Sequence, residues 1–97
     1  MALEVRLTPG ARRDLANIYD WTLRRFGPEQ AERYAQEFNQ AFGFLAENPR
    51  LARDASNIRP GLFKHMSGSH VVYVRISKSL LTIVRILHGG MDAGRWL

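Results

Sequence analysis

Ninety-seven residues with a formal net charge of +5 suffice for one modest core and leave no room for separate cofactor and substrate domains. Hydrophobic residues make up 45% and charged residues 24%, which is ordinary globular usage rather than the signature of disorder. Cysteine is absent, excluding disulfides, thiolate metal sites and cysteine nucleophiles. No apolar run approaches the roughly 20 residues of a membrane helix, and the N-terminal residues do not read as a signal peptide, so the expectation is a cytoplasmic domain with no membrane role.

Leu3, Val5 and Leu7 alternate with Glu4 and Arg6, the period-two pattern of a half-buried strand. At Thr8-Pro9 the period changes. A capping hydroxyl precedes a residue suited to the first helical position, and Ala11, Leu15, Ile18, Tyr19, Thr22 and Phe26 follow at helical spacing, predicting a helix that ends near Gly27. Pro28 can open a second helix, whose stripe of Ala31, Tyr34, Ala35, Phe38, Ala41, Phe42 and Leu45 runs to Asn48-Pro49. The pair predicts an antiparallel hairpin, with Phe38 and Phe42 packed beneath Val72, Val74 or Val84.

Residues 50–59 lack a period and read as a loop closed by Pro60-Gly61. Leu62 to Ser67, Val71 to Ile76 and Leu80 to Leu87 are rich in β-branched and aromatic residues and are separated by turn residues, predicting a three-stranded antiparallel meander. The predicted fold is one α+β domain over 1–97: an N-terminal strand, a two-helix hairpin, and a meander that completes a four-stranded antiparallel sheet. Two helices cover one face of such a sheet. The other also carries apolar residues, so either a partner covers it or the 50–59 loop and the C-terminal tail fold over it.

Charge is distributed unevenly. Residues 1–54 balance eight acids against eight arginines, whereas Arg59, Lys64, Arg75, Lys78, Arg85 and Arg95 face only Asp92 in the remainder, with no acid between Ala55 and Met91. Such an excess suggests an acidic partner, either nucleic acid or an acidic protein segment, unless it is simply a solvated surface. His65, His70 and His88 lack metal-ligand spacing, so neither a metal nor another cofactor is expected. Ser67-Gly68-Ser69 and Gly89-Gly90 read as turn chemistry and a flexible strand exit. His65, His70, Arg75, Arg85, His88 and Arg95 could instead cleave RNA without metal. A base would take the ribose 2′-hydroxyl proton, arginine would stabilise the phosphorane, and an acid would protonate the leaving oxygen.

Thr8 to Leu15 with Ile18, Phe26-Gly27-Pro28-Glu29-Gln30-Ala31, Leu45-Ala46-Glu47-Asn48-Pro49, Ile58-Arg59-Pro60-Gly61-Leu62, Ser69-His70-Val71-Val72-Tyr73 and Ile83-Val84-Arg85-Ile86-Leu87-His88 with Met91-Asp92 resemble ParE toxins of the RelE/ParE superfamily in order and spacing. The resemblance spans essentially the whole chain. It implies a RelE-like fold, a hetero-oligomeric complex with a ParD-like antitoxin, and non-enzymatic inhibition of DNA gyrase. The expected antitoxin contacts are Arg59, Tyr73, Arg75 and Arg85, and the expected target contacts are His88, Met91, Asp92, Arg95 and Trp96. The related RelE-type nucleases imply the alternative of mRNA cleavage by His88, Arg85 and Arg75. The ending Arg95-Trp96-Leu97, without a terminal tyrosine, departs from that pattern.

Overall fold

A computed structural model describes residues 2–97. Strand β1 (Glu4–Leu7) leads into α1 (Pro9–Phe26) and α2 (Pro28–Glu47). A 3-10 turn (Pro49–Leu51) and a two-residue strand β2 (Arg53–Asp54) precede β3 (Phe63–Ser67), β4 (His70–Ile76), β5 (Leu80–His88) and a short α3 (Ala93–Trp96). Local chemistry sets the helix boundaries. The Thr8 hydroxyl accepts the Ala11 N–H at 3.0 Å and Pro9 fills the first helical position. Gly27, at φ 91°, separates α1 from Pro28 of α2, a backbone conformation that glycine adopts without strain.

The sheet has five strands in the order β1-β5-β4-β3-β2, one more than predicted, because Arg53 and Asp54 pair with Lys64 and Phe63 inside the expected loop. The predicted antiparallel pairing also fails at one edge, where β1 runs parallel to β5 from Glu4↔Leu80 to Leu7↔Ile83. A parallel pair needs a long connection, and the helix hairpin and two meander strands supply it.

The helices cover one face. Ala11, Phe38, Phe42, Leu45 and Ala46 pack against Val72, Val74, Leu81, Ile83 and Ile86, with Leu15 and Ile18 beside them. Phe26, expected on the helical stripe, is instead 62% exposed, where its ring meets Trp21 edge to face. The opposite face is not bare, so the second of the two expectations for it holds. Ala55 and Leu62 of the loop bury Val71, Tyr73 and Leu87, and Ile58, Val84, Ala93 and Leu97 close the edges.

Val84 therefore lies on the far side of the sheet from Phe38 and Phe42, which pack with the other two expected partners, Val72 and Val74. The cause is a register shift: Tyr73 pairs with Arg85 but Val74 with Ile83, leaving Val84 unpaired. The bulge reverses the alternation of β5. Leu81, Ile83 and Ile86 consequently share the helix side, and Leu87 faces the loop and tail.

Candidate functional site

Beyond Ile83, β5 has no strand partner on its outer edge, and the first turns of α1 take that place. Thr8 N–H donates to the Ile83 carbonyl and the Thr8 hydroxyl to the Val84 carbonyl, at 3.0 and 2.6 Å. In the second turn of α1, Asp14 accepts the Ile86 N–H at 2.9 Å and two hydrogen bonds from Arg85, Nε at 2.7 Å and Nη2 at 2.9 Å. Their side chains are only 12% and 25% exposed, and this bidentate geometry pushes the Arg85 guanidinium above its ordinary range. The remaining guanidinium nitrogen donates to the Trp96 carbonyl at 3.0 Å. Arg85 thus ties β5, α1 and α3 together. Gly10 leaves room for it, since a Cβ there would stand 3.0 Å from the arginine Cδ.

At the other end of this edge the β5–β4 pair finishes with His70 opposite His88. Their rings are perpendicular with centroids 5.6 Å apart. Tyr34 of α2 reaches across the core so that its hydroxyl lies 2.6 Å from His70 Nδ1 and accepts the Ser69 N–H at 3.3 Å. The Ser67-Gly68-Ser69 turn wraps this phenol. Gly68 has φ +58°, and a Cβ on it would come within 2.7 Å of the tyrosine ring, so both conformation and space require glycine. Burial lowers the His70 pKa, and the neighbouring His88 adds to the effect while Asp14 opposes it. His88 is exposed, and its Nδ1 accepts the Gly90 N–H at 3.2 Å.

These histidines form one wall of a groove of about 510 Å³ whose other walls are Trp21, Thr22 and Phe26 of α1 and Gln30 and Tyr34 of α2. Trp21 and Phe26 meet edge to face at 5.9 Å and are 54% and 62% exposed. Arg25 lies 5.5 Å above the Trp21 ring. Large exposed aromatics beside a groove are unusual on an isolated domain and characteristic of binding surfaces. Sequence reasoning missed Trp21 and Tyr34 as site residues and placed Phe26 in the core. The available signal was Trp21 standing off the apolar stripe of α1.

The six residues considered for RNA cleavage do not converge. His70 and His88 meet, but His65 stacks by Phe44 at 6.0 Å, Arg75 donates to the Pro60 carbonyl on the loop-covered face at 2.9 Å, Arg85 is held by Asp14, and Arg95 lies in α3. No arginine or lysine lines the groove. Of the expected antitoxin contacts, Arg59 and Arg75 are exposed. Tyr73 is 6% exposed beneath the loop and tail, and therefore offers no free surface. Arg85 is engaged as described.

His88, Met91, Asp92, Arg95 and Trp96 fall together on the exposed C-terminal segment. That segment is more ordered than a glycine-rich exit suggests. Gly89 N–H donates to the Ser69 carbonyl, Asp92 caps α3 through the Gly94 N–H, and Ala93 and Leu97 pack on the sheet. Among the described residues no three His, Cys, Asp or Glu side chains gather as metal ligands, and no helix is long and apolar enough to cross a membrane.

Residues 5–93 match the family model described as the ParE toxin of the type II toxin-antitoxin system, parDE. The curated relative Toxin ParE1 of Mycobacterium tuberculosis is 38% identical over 96 residues, covering 98% of each chain. Toxin ParE1 of Caulobacter vibrioides is 38% identical over 88 residues, 91% of each. Among solved structures, a chain of the chromosomal ParDE system from P. aeruginosa superimposes with a TM-score of 0.77 at 21% identity, over 90% of this chain and 96% of that one. The RelBE2 toxin-antitoxin complex from Mycobacterium tuberculosis gives 0.66 at 27% identity, over 91% and 99%.

Proposed function

The chain belongs to the ParE toxin family of type II toxin-antitoxin systems, and from that premise we propose that it acts by binding rather than by catalysis, with DNA gyrase as its target and a ParD-like antitoxin as its inhibitor in a hetero-oligomeric complex. The observation behind this reading is the composition of the groove, which is aromatic and apolar, with two histidines at its rim and no lysine or arginine in its lining. Metal-free RNA cleavage needs a cation at the phosphate as well as an acid and a base; Arg85, the candidate on the same strand as His88, spends its guanidinium on Asp14 and Trp96, and Arg25 is stacked over Trp21.

The groove suits an amphipathic antitoxin segment. Its apolar side chains would meet Trp21 and Phe26, and truncating such exposed aromatic anchors commonly costs more than 1 kcal/mol of binding. The solved ParDE and RelBE2 chains are toxin-antitoxin systems, in keeping with such a partner. Gyrase is the target that the resemblance to ParE toxins implies, and the mixed surface of Met91, Arg95 and Trp96 on the C-terminal segment suits docking better than chemistry.

Replacing Arg95 and Trp96 together by alanine should abolish growth inhibition and loss of supercoiling by gyrase while antitoxin binding survives. His88→Gln should retain toxicity. Deleting everything after His88 is a poorer test, because it also removes the core residues Ala93 and Leu97. The juxtaposed His70 and His88 keep the ribonuclease as the second reading. In that case His88→Gln loses about 10²–10⁴-fold in RNA-cleavage rate and the tail variant stays toxic. That reversed ranking would replace the inhibitor by the nuclease.

A further inference from the structure

We propose that the sheet face opposite the helices is a binding surface for duplex DNA, reading its phosphate backbone without regard to sequence. The strand register gathers the basic residues there. Arg53 pairs with Lys64, Lys64 pairs with Tyr73, and Arg75 follows two residues along β4 on the same face. The Arg75 bond to the Pro60 carbonyl brings Arg59 alongside. Two strand spacings separate β2 from β4, about 10 Å, so the four cations form one patch. None of them has an ion-pair partner among the described residues.

Acids are kept away from this patch. Asp54 pairs with Phe63, hence points to the other face of β2, and its carboxylate is turned onto the Ser56 hydroxyl and N–H. Glu4 stands on the far edge strand and is paired with Arg6. Asp92 caps α3.

The choice of occupant follows from what the patch lacks. Tyr73, Val71 and Leu87 are already buried beneath the loop and tail, and Met66 is the sole large apolar side chain left exposed on the strands of this face. The exposed Met91 and Trp96 belong to the tail, and Trp96 is hydrogen-bonded to Arg85 on β5, away from β3 and β2, so a protein ligand would find few anchors on the patch itself. Single-stranded nucleic acid binds chiefly through stacking on exposed aromatics, and Tyr73, the aromatic residue paired beside Lys64 on these strands, is covered. Electrostatic attraction remains, which is the regime of duplex backbone binding.

The test is fluorescence anisotropy of a labelled random-sequence DNA duplex titrated with the purified full chain over a series of KCl concentrations, without antitoxin or gyrase. Binding should strengthen as salt falls, with a slope of log K against log salt near −3.6 for four phosphate contacts, at about −0.9 each. Arg53→Gln with Lys64→Gln should reduce the slope by about 2. Among the described residues neither side chain takes part in an ion pair, so folding should be unaffected. Adding Arg59→Gln should remove about one more, whereas Arg12→Gln with Arg13→Gln on α1 should leave the slope unchanged. The proposal is overturned by the absence of duplex binding at low salt, by an unchanged slope in the Arg53 and Lys64 variant, or by equal or tighter binding to single-stranded RNA or polyglutamate. Because the assay contains neither antitoxin nor gyrase, its failure would leave the inhibitor reading standing, and the reverse also holds.

Discussion

The two faces of the sheet are built by different means. On one, two helices of 18 and 20 residues bury a continuous aliphatic and aromatic core. On the other, an irregular loop and a short tail cover Val71, Tyr73 and Leu87 of the sheet, while the basic side chains stay at the margins. The first face is stabilised by large areas of regular packing, and the second is closed by segments that contribute little beyond Leu62, Ile58, Ala93 and Leu97. A domain of this size can thus combine a regular scaffold on one face with irregular loop and tail segments on the other.

The largest expected effect lies on the helix side. Phe42→Ala should lower unfolding free energy by about 3–5 kcal/mol, since the ring is 4% exposed in the same core cluster as Val72 and Val74 and its removal leaves a cavity there. Urea denaturation measures this directly, and a near-neutral result would mean that the helix packing is wrong. On the other face Leu62→Ala should cost about 2–3 kcal/mol, toward the lower end for such truncations, because a surface loop can settle into the space. Losses as large as for Phe42→Ala in the same experiment would erase the distinction between the faces.

Acid and alkali should separate them with smaller effects. Burial holds the pKa of His70, and of His65, below the ordinary histidine value, so the unfolded chain takes up protons first. The stability these groups contribute is present above about pH 6.5 and is lost as pH falls through their folded values. His70 faces Tyr34 and Phe38 from α2 and His88 from β5, with Asp14 acting on it from α1. Thermal melts between pH 7 and 5 should therefore show a falling midpoint, less steep in His70→Gln. A steeper fall in that variant would remove His70 as the cause. Tyr73, beneath the loop and tail, is shifted the other way by burial. Its contribution persists below the ordinary tyrosine value and is lost only as pH rises through the folded one.

The elements of the fold were legible in the sequence because each is fixed by local chemistry. Thr8-Pro9, Gly27-Pro28 and Asn48-Pro49 bound the helices through capping and the geometry of proline, and the β-branched runs mark the meander. The parallel edge, the fifth strand and the bulge at Val84 were not legible, since each depends on which distant strand lies alongside, and a one-residue slip leaves the pattern of the isolated strand unchanged.

The site divides in the same way. The sequence by itself determined the asymmetry of charge and the residue types available for binding, because composition does not depend on folding. Only the tertiary structure decided their roles. It joined Arg85 to Asp14 across 71 positions, set His70 against His88, exposed Trp21 and Phe26 beside them, and buried Tyr73. Hydrogen bonding and burial act between groups that are close in space, and the separation of those groups along the chain carries no sign of which will meet.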